Sequence, residues 1–316
     1  MTRTGPPIGP ELYAALGDPE SGQSLLTLER VGWLREVVAA GDLTDDDLRA
    51  LAPIEIHDVR HEETGAGYLV IRPKGLVGQA PAVVSIHGGG MVAGSARSGL
   101  AELVTWIAEV GAVLVSIDYR LAPEHPYPIP LEDCLWALAS VQERAAQWAI
   151  DPDRLVLVGG SAGANLVGGC ILALADRGQP IPTAAMMWQP MLDDRLELPS
   201  THELVDDALW DRRSTQTAWT AYLAGAPADG FAAPGRARAL ESFPPTFLEV
   251  GQVDIFRDDT LAFASRLSAA GVLVELHLWP GAYHGFEGSA PNAHLTRLAL
   301  SARYDFLDRA LRDSLA

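Results

Sequence analysis

The chain has 316 residues, 48% of them hydrophobic, and carries 41 acidic against 23 basic side chains for a net charge of −18. That length supports one large core but not two generous domains, and a surface this acidic repels nucleic acid and anionic lipid. No run of about 18 apolar residues is present, which argues against a membrane span, and the start, MTRTGPPIGPELY, lacks the apolar centre of a signal peptide; the expected location is the cytoplasm.

In chain order, residues 1–50 read as mixed, mostly helical sequence, with Leu26, Val31, Leu34 and Val38 near helical spacing. The stretch from Ile54 to Pro73 reads as two strands around a turn at Gly65-Ala66-Gly67. Short apolar runs at 81–86 and 112–118 predict two further strands, with helical patterning at 96–110 between them. A helix is predicted over 131–149, Asp151-Pro152-Asp153 breaks the chain, and 154–158 forms a buried strand. A helix at 162–176, strands at 183–188 and 246–251, a helix at 258–270, a strand at 272–279 and a last helix from about 292 follow. This alternation defines an α/β protein. The interval from Gln189 to Pro245 has no clear strand and reads as a partly helical insertion over the site. Cys134 and Cys170 lie in apolar helical contexts and read as small buried side chains, not a disulfide or metal site.

Two glycine-rich runs carry the chemistry. Gly159-Gly160-Ser161-Ala162-Gly163 joins an apolar strand to a helix and has the G-x-S-x-G form of a nucleophile turn. The turn forces strained angles on Ser161, and Gly159 and Gly163 remove side chains that would block a close strand–helix crossing. His87-Gly88-Gly89-Gly90 follows another strand. Backbone N–H groups of Gly88, Gly89 and Ala162 are the candidate oxyanion donors. His87 and Gly90 support that loop, with His87 bracing it rather than serving as the base. The rival for the serine turn is a phosphate-binding loop, but G-x-G-x-x-G is absent and HGGG has no role in one.

A serine needs a base at neutral pH, and a nucleophile of this type is followed in the chain by its acid and then its histidine. Of the histidines after Ser161, His202 lies in the insertion, His277 in a strand and His294 in the last helix. His284 sits on the loop after the final strand, where site residues of open α/β sheets gather, and is the expected base. Asp254 is the first carboxylate beyond the strand TFLEVG and is the expected orienting acid; Asp258 and Asp259 start a helix, where capping is the ordinary role, and Glu249 lies inside the strand. Core packing is the default role for Trp33, Trp188, Trp210, Trp219 and Tyr222.

HGGG at 87–90, YRLAPEHPYP at 119–128, the serine turn, the acid in VDIFRDD and HGF at 284–286 occur in this order. Together they resemble the hormone-sensitive-lipase-like family of α/β-hydrolase carboxylesterases over roughly residues 55–310. The resemblance implies a central, mostly parallel eight-stranded sheet flanked by helices. It implies a catalytic domain at 51–316, with residues 1–50 and an insertion at 190–240 forming a cap over the acyl site. It also implies hydrolysis of short- to medium-chain acyl esters without a cofactor or metal, and a homodimer through the last sheet edge, as in several members. Gly160 replaces the usual Asp or Thr of the family, Met91 stands where a larger aromatic is common, by the expected acyl pocket, and Ile255 replaces a proline. The prolines of 119–128 make a stiff loop that supports HGGG, within which Arg120 and Glu124 are expected to pair. A small amidase or formamidase-like hydrolase and a non-catalytic ligand binder remain alternatives on the same scaffold; His284 weighs against the binder, because such relatives lack the base.

Overall fold

A computed structural model describes residues 5–16, 26–204, 210–312 and 315. The strands are β1 (Ile54–Arg60), β2 (Gly67–Pro73), β3 (Ala80–Ile86), β4 (Val113–Asp118), β5 (Ile150–Gly160), β6 (Ala184–Trp188), β7 (Thr246–Gly251) and β8 (Val274–Trp279). The helices are α1 (Pro10–Ala15), α2 (Val31–Ala39), α3 (Asp45–Leu51), α4 (Ala101–Val110), α5 (Ile129–Glu143) and α6 (Ala145–Trp148). They continue with α7 (Ala162–Asp176), α8 (Ser200–Glu203), α9 (Arg212–Leu223), α10 (Arg257–Ala269), α11 (Phe286–Ser289) and α12 (His294–Leu311).

The strands form one 8-stranded sheet in the order β1-β2-β4-β3-β5-β6-β7-β8. Only β2 runs against the rest; β4, β3 and β5 to β8 pair in parallel. Side chains alternate across it with period two. Val84, Ile86, Val115, Leu155 and Leu157 face a core that includes α5, α7 and α10. Val83, Leu114, Val156 and Val158 face a second core shared with α3, α4 and α12. Burial on both faces explains why the central strands read as continuous apolar runs. Cys134 and Cys170 are free and buried. This is the α/β architecture expected, and the carboxyl ends of the parallel strands β3, β5, β7 and β8 lie at the same end of the sheet, where the loops carrying the candidate site begin.

Three local expectations need adjustment. The helix expected over 96–110 starts at Ala101, because Gly99 takes φ +69° and Ser95 is tied by its hydroxyl to Asp42. The helix expected over 131–149 is two helices, α5 and α6, ending where Ala149 takes φ +54°. Asp151-Pro152-Asp153 does not end a segment. It lies inside β5 where the register with β3 shifts between Ala80 and Ala82, and a bulge tolerates a proline that has no N–H to give.

Among its described residues the interval 189–245 holds α8, α9 and a 3₁₀ turn at Pro234–Arg236, and no strand. Helix α9 is capped by Asp211, whose carboxylate accepts from Ser214 N. The N-terminal segment meets this insertion where Leu26 N donates to Ser214 Oγ (3.1 Å), and it reaches the β8–α11 loop where Gly9 N donates to Gly281 O (3.0 Å). Parts of the expected cap, residues 1–4, 17–25 and 205–209, lie outside the described residues. No helix among the described residues is long and apolar enough to cross a membrane.

Candidate active site

Ser161 sits between the end of β5 and the start of α7 with φ +54° and ψ −118°. A side chain rarely adopts this conformation; it persists because the surroundings fix it. A Cβ at Gly159 would stand 2.6 Å from Gly163 C, and one at Gly163 would run into Ile86 O and His87 O. The strand and helix therefore cross at backbone contact and leave the serine facing outward. Its N–H is held by Trp188 O (2.9 Å).

His284 arrives on the loop after β8. Ser161 Oγ and His284 Nε2 are 3.0 Å apart, and His284 Nδ1 and Asp254 Oδ2 are 2.9 Å apart. Asp254, in the turn after β7, is 1% exposed, and its other oxygen accepts from Phe256 N (2.9 Å). A carboxylate only accepts, so Nδ1 carries the proton and Nε2 is free to accept from the serine hydroxyl. Phe256 packs edge-on against the imidazole and Trp210 lies 6.1 Å from it, centroid to centroid. Burial lowers the His284 pKa, but the charge and hydrogen bond of Asp254, with Glu287 adding to them, outweigh it and hold the pKa above the ordinary value.

The HGGG loop runs past the serine. A Cβ at Gly88 would lie 3.1 Å from Gly160 O and 3.4 Å from Ser161 Cβ. Gly89 takes φ +104°, and its carbonyl receives the amides of Val92 and Ala93. Ala162 N is at the first turn of α7, where no intrahelical acceptor exists. Gly90 faces Trp210, whose ring edge would be 2.7 Å from a Cβ there.

His87 is buried and stacks on Tyr119 at 4.1 Å. Burial pushes its pKa down, against a smaller opposing effect from its bond to Gly88, so the ring is neutral near pH 7. Its Nδ1–H donates to Gly88 O (2.8 Å), while Tyr119 Oη donates to His87 O (3.0 Å). This is the bracing geometry.

The expected pair inside 119–128 is not made. Arg120 turns to α5 and forks onto Asp133 (2.7 and 2.9 Å), and Glu124 turns to α2 and takes Arg35 (2.6 and 2.9 Å). Arg35 also donates to Val92 O and Ala122 O, and Ala122 N donates to Met91 O. The loop thus supports the HGGG segment through partners on other elements, which proximity in sequence does not reveal. The Arg35 bond holds the Glu124 carboxyl at about 2. Met91 is fully buried with φ +64°.

Sequence reasoning missed a buried polar set behind His284. Gly285 N donates to Gln189 Oε1 (2.6 Å), Gln189 Nε2 to Glu287 Oε2 (2.8 Å), and Arg303 Nη2 to Glu287 Oε1 (2.9 Å). Glu249, centred in β7, accepts from Arg303 Nε (2.7 Å) and Trp279 Nε1 (2.8 Å). One signal existed: a glutamate inside an apolar strand needs buried hydrogen-bond donors or a cation to satisfy it. Nothing in the sequence says which one. Among the described residues no group of His, Cys, Asp and Glu is arranged to hold a metal ion.

A nucleophile turn, a glycine loop beside it and a histidine bridged to a carboxylate, on a mostly parallel sheet of this order, define an α/β hydrolase. The family model for the α/β hydrolase fold matches residues 83–288. The chain is 35% identical over 218 residues to the esterase LipI of Mycobacterium tuberculosis, covering 67% of each protein. It is 38% identical over 132 residues to the hormone-sensitive lipase of Bos taurus, covering 42% of this chain and 18% of that protein. Among solved structures a bacterial heroin esterase superposes with a TM-score of 0.88 at 30% identity, over 96% of this chain and 98% of that one. The chain belongs to the hormone-sensitive-lipase-like family of α/β-hydrolase carboxylesterases.

Proposed function

We propose that this carboxylesterase cleaves esters of short to medium acyl chain through a covalent acyl-enzyme formed on Ser161. The observation that carries the reading is the unbroken chain from Ser161 Oγ to His284 Nε2 (3.0 Å) and from His284 Nδ1 to Asp254 Oδ2 (2.9 Å).

Ser161 Oγ attacks the ester carbonyl as its proton passes to His284 Nε2. The amides of Gly88, Gly89 and Ala162 receive the developing oxyanion; they are fixed by the loop and the helix start, so they need no reorganisation as charge builds. The imidazolium is stabilised by Asp254 and then protonates the leaving alkoxide. Water enters, loses a proton to His284 and attacks the acyl carbon. The second tetrahedral intermediate collapses, Ser161 recovers its proton and the acid departs.

Residues 1–50 and 190–240 serve as a cap over the catalytic domain 51–316. The contact between Leu26 and Ser214, and the approach of Trp210 to both Gly90 and His284, support this reading. The Trp210 indole limits the space beside the glycine loop, which favours small acyl groups.

Ser161→Ala should abolish turnover of p-nitrophenyl acetate and covalent labelling by a fluorophosphonate probe, while the parent enzyme does both. Turnover near the parent rate in that variant would remove the serine from its role.

A further inference from the structure

Behind the histidine loop lie three charged side chains on β7, α11 and α12 that the reaction does not consume. Arg303 is 7% exposed and Glu249 is fully buried. Removing charges from water costs several kcal/mol per ion, and an apolar replacement of similar volume is often as stable. The geometry of this set reaches the catalytic centre from two sides. Through Glu287 and Gln189 it ends on the amide of Gly285, the residue after His284. The other side runs through Trp188, the last residue of β6: the Arg303 guanidinium lies 4.9 Å from the centre of the Trp188 ring, the Trp188 carbonyl holds Ser161 N, and the Trp188 indole edge covers Gly160.

We infer that Arg303 is a positioning residue for His284, acting through Glu287 and Gln189. The inference rests on His284 being the general base. Gly285 takes φ +72°, so the peptide following the base turns sharply, and its N–H donates to Gln189 Oε1, which holds that turn. Gln189 has no freedom of its own: its amide nitrogen is held by Glu287, and its backbone N–H donates to Glu249 O (2.7 Å). Glu287 is oriented in turn by Arg303. Misplacing a catalytic group by about 1 Å can cost 100-fold in rate.

The groups that face the imidazole are Asp254 from the β7 turn, Ser161 from the nucleophile turn, and the rings of Phe256 and Trp210. Glu287 acts on it through space as the second carboxylate.

The test uses the full chain with p-nitrophenyl acetate. Gln189→Met removes both hydrogen bonds of the side-chain amide without adding charge; kcat should fall roughly 10- to 100-fold with KM little changed. Glu287→Gln leaves Arg303 paired with Glu249 but removes one negative charge near the base, so the acid limb of kcat/KM should move to lower pH. Arg303→Lys should recover more activity than Arg303→Met; if the Met variant does not fold, the other two decide. A Gln189→Met enzyme within about twofold of the parent kcat, or a folded Arg303→Met enzyme as active as Arg303→Lys, overturns the inference, and a lowered acid limb in Glu287→Gln supports it. Failure of the underlying assignment has a separate signature: His284→Ala would then retain turnover, whatever the Gln189 variant does.

Discussion

The indole edge of Trp188 occupies the place where a Cβ at Gly160 would stand. The absence of a side chain at position 160 and the presence of tryptophan at 188 are one feature, not two. Gly160→Ala should therefore disturb the serine turn from behind. We expect a loss on the order of 1–3 kcal/mol in stability together with a reduced kcat. Adding Trp188→Leu should return part of both, measured by thermal melts and initial rates. Gly160→Ala with parental stability and kcat would contradict the packing described here.

Activity should fall on the acid side as His284 takes up a proton. As the proposed base, His284 works only when neutral, and its pKa is held above the ordinary histidine value because Asp254 and Glu287 outweigh the opposing effect of burial. The acid limb of kcat/KM should thus lie above the pH at which a free histidine titrates, with about a tenfold loss per pH unit below it. A rate profile on stable substrate resolves this directly.

Asp254→Asn keeps the volume but presents an amide to His284 Nδ1, which favours the wrong tautomer. If Ser161, His284 and Asp254 act as the proposed triad, kcat should drop by roughly 1,000- to 10,000-fold. Circular dichroism and thermal melts should show a folded protein, so that the loss is assigned to the imidazole.

Asp259 offers a test of stability against pH away from the reaction. Burial, and then the negative charges of Asp193 and Asp258, raise its pKa from 3.8 to about 7. A folded state that keeps a proton the unfolded chain releases is favoured at low pH. That contribution is complete below about 3.8, declines as pH rises and is gone above about 7. Asp259→Asn should accordingly raise the melting temperature at pH 8, by at most a few kcal/mol in free energy, and leave it nearly unchanged at pH 4. Equal effects at both pH values would contradict this.

Much of the scaffold was legible because its signals are local. The strand 246–251 and the helix 162–176 are found at the expected residues, since a continuous apolar run and a helical period need no partner to be recognised. The adjustments fall where a single residue decides: Gly99 delays a helix, Ala149 ends one, and Pro152 sits in a bulge rather than a break. The insertion could be delimited but not built, because its helices are fixed by contacts such as Ser214 with Leu26 that join distant segments.

The amino-acid sequence alone determined the order of strands and helices, the glycine-lined turn that exposes Ser161, and a short set of candidates for its partners. Those are properties of neighbours along the chain: apolar period, absent side chains and fixed spacing. The convergence of Ser161, His284 and Asp254, the turning of Arg120 to Asp133 and Glu124 to Arg35, and the burial of Arg303 between Glu249 and Glu287 were decided by the tertiary structure. A side chain with a charge or a proton to place takes the partner that folding brings within about 3 Å, and distance along the chain does not encode that choice.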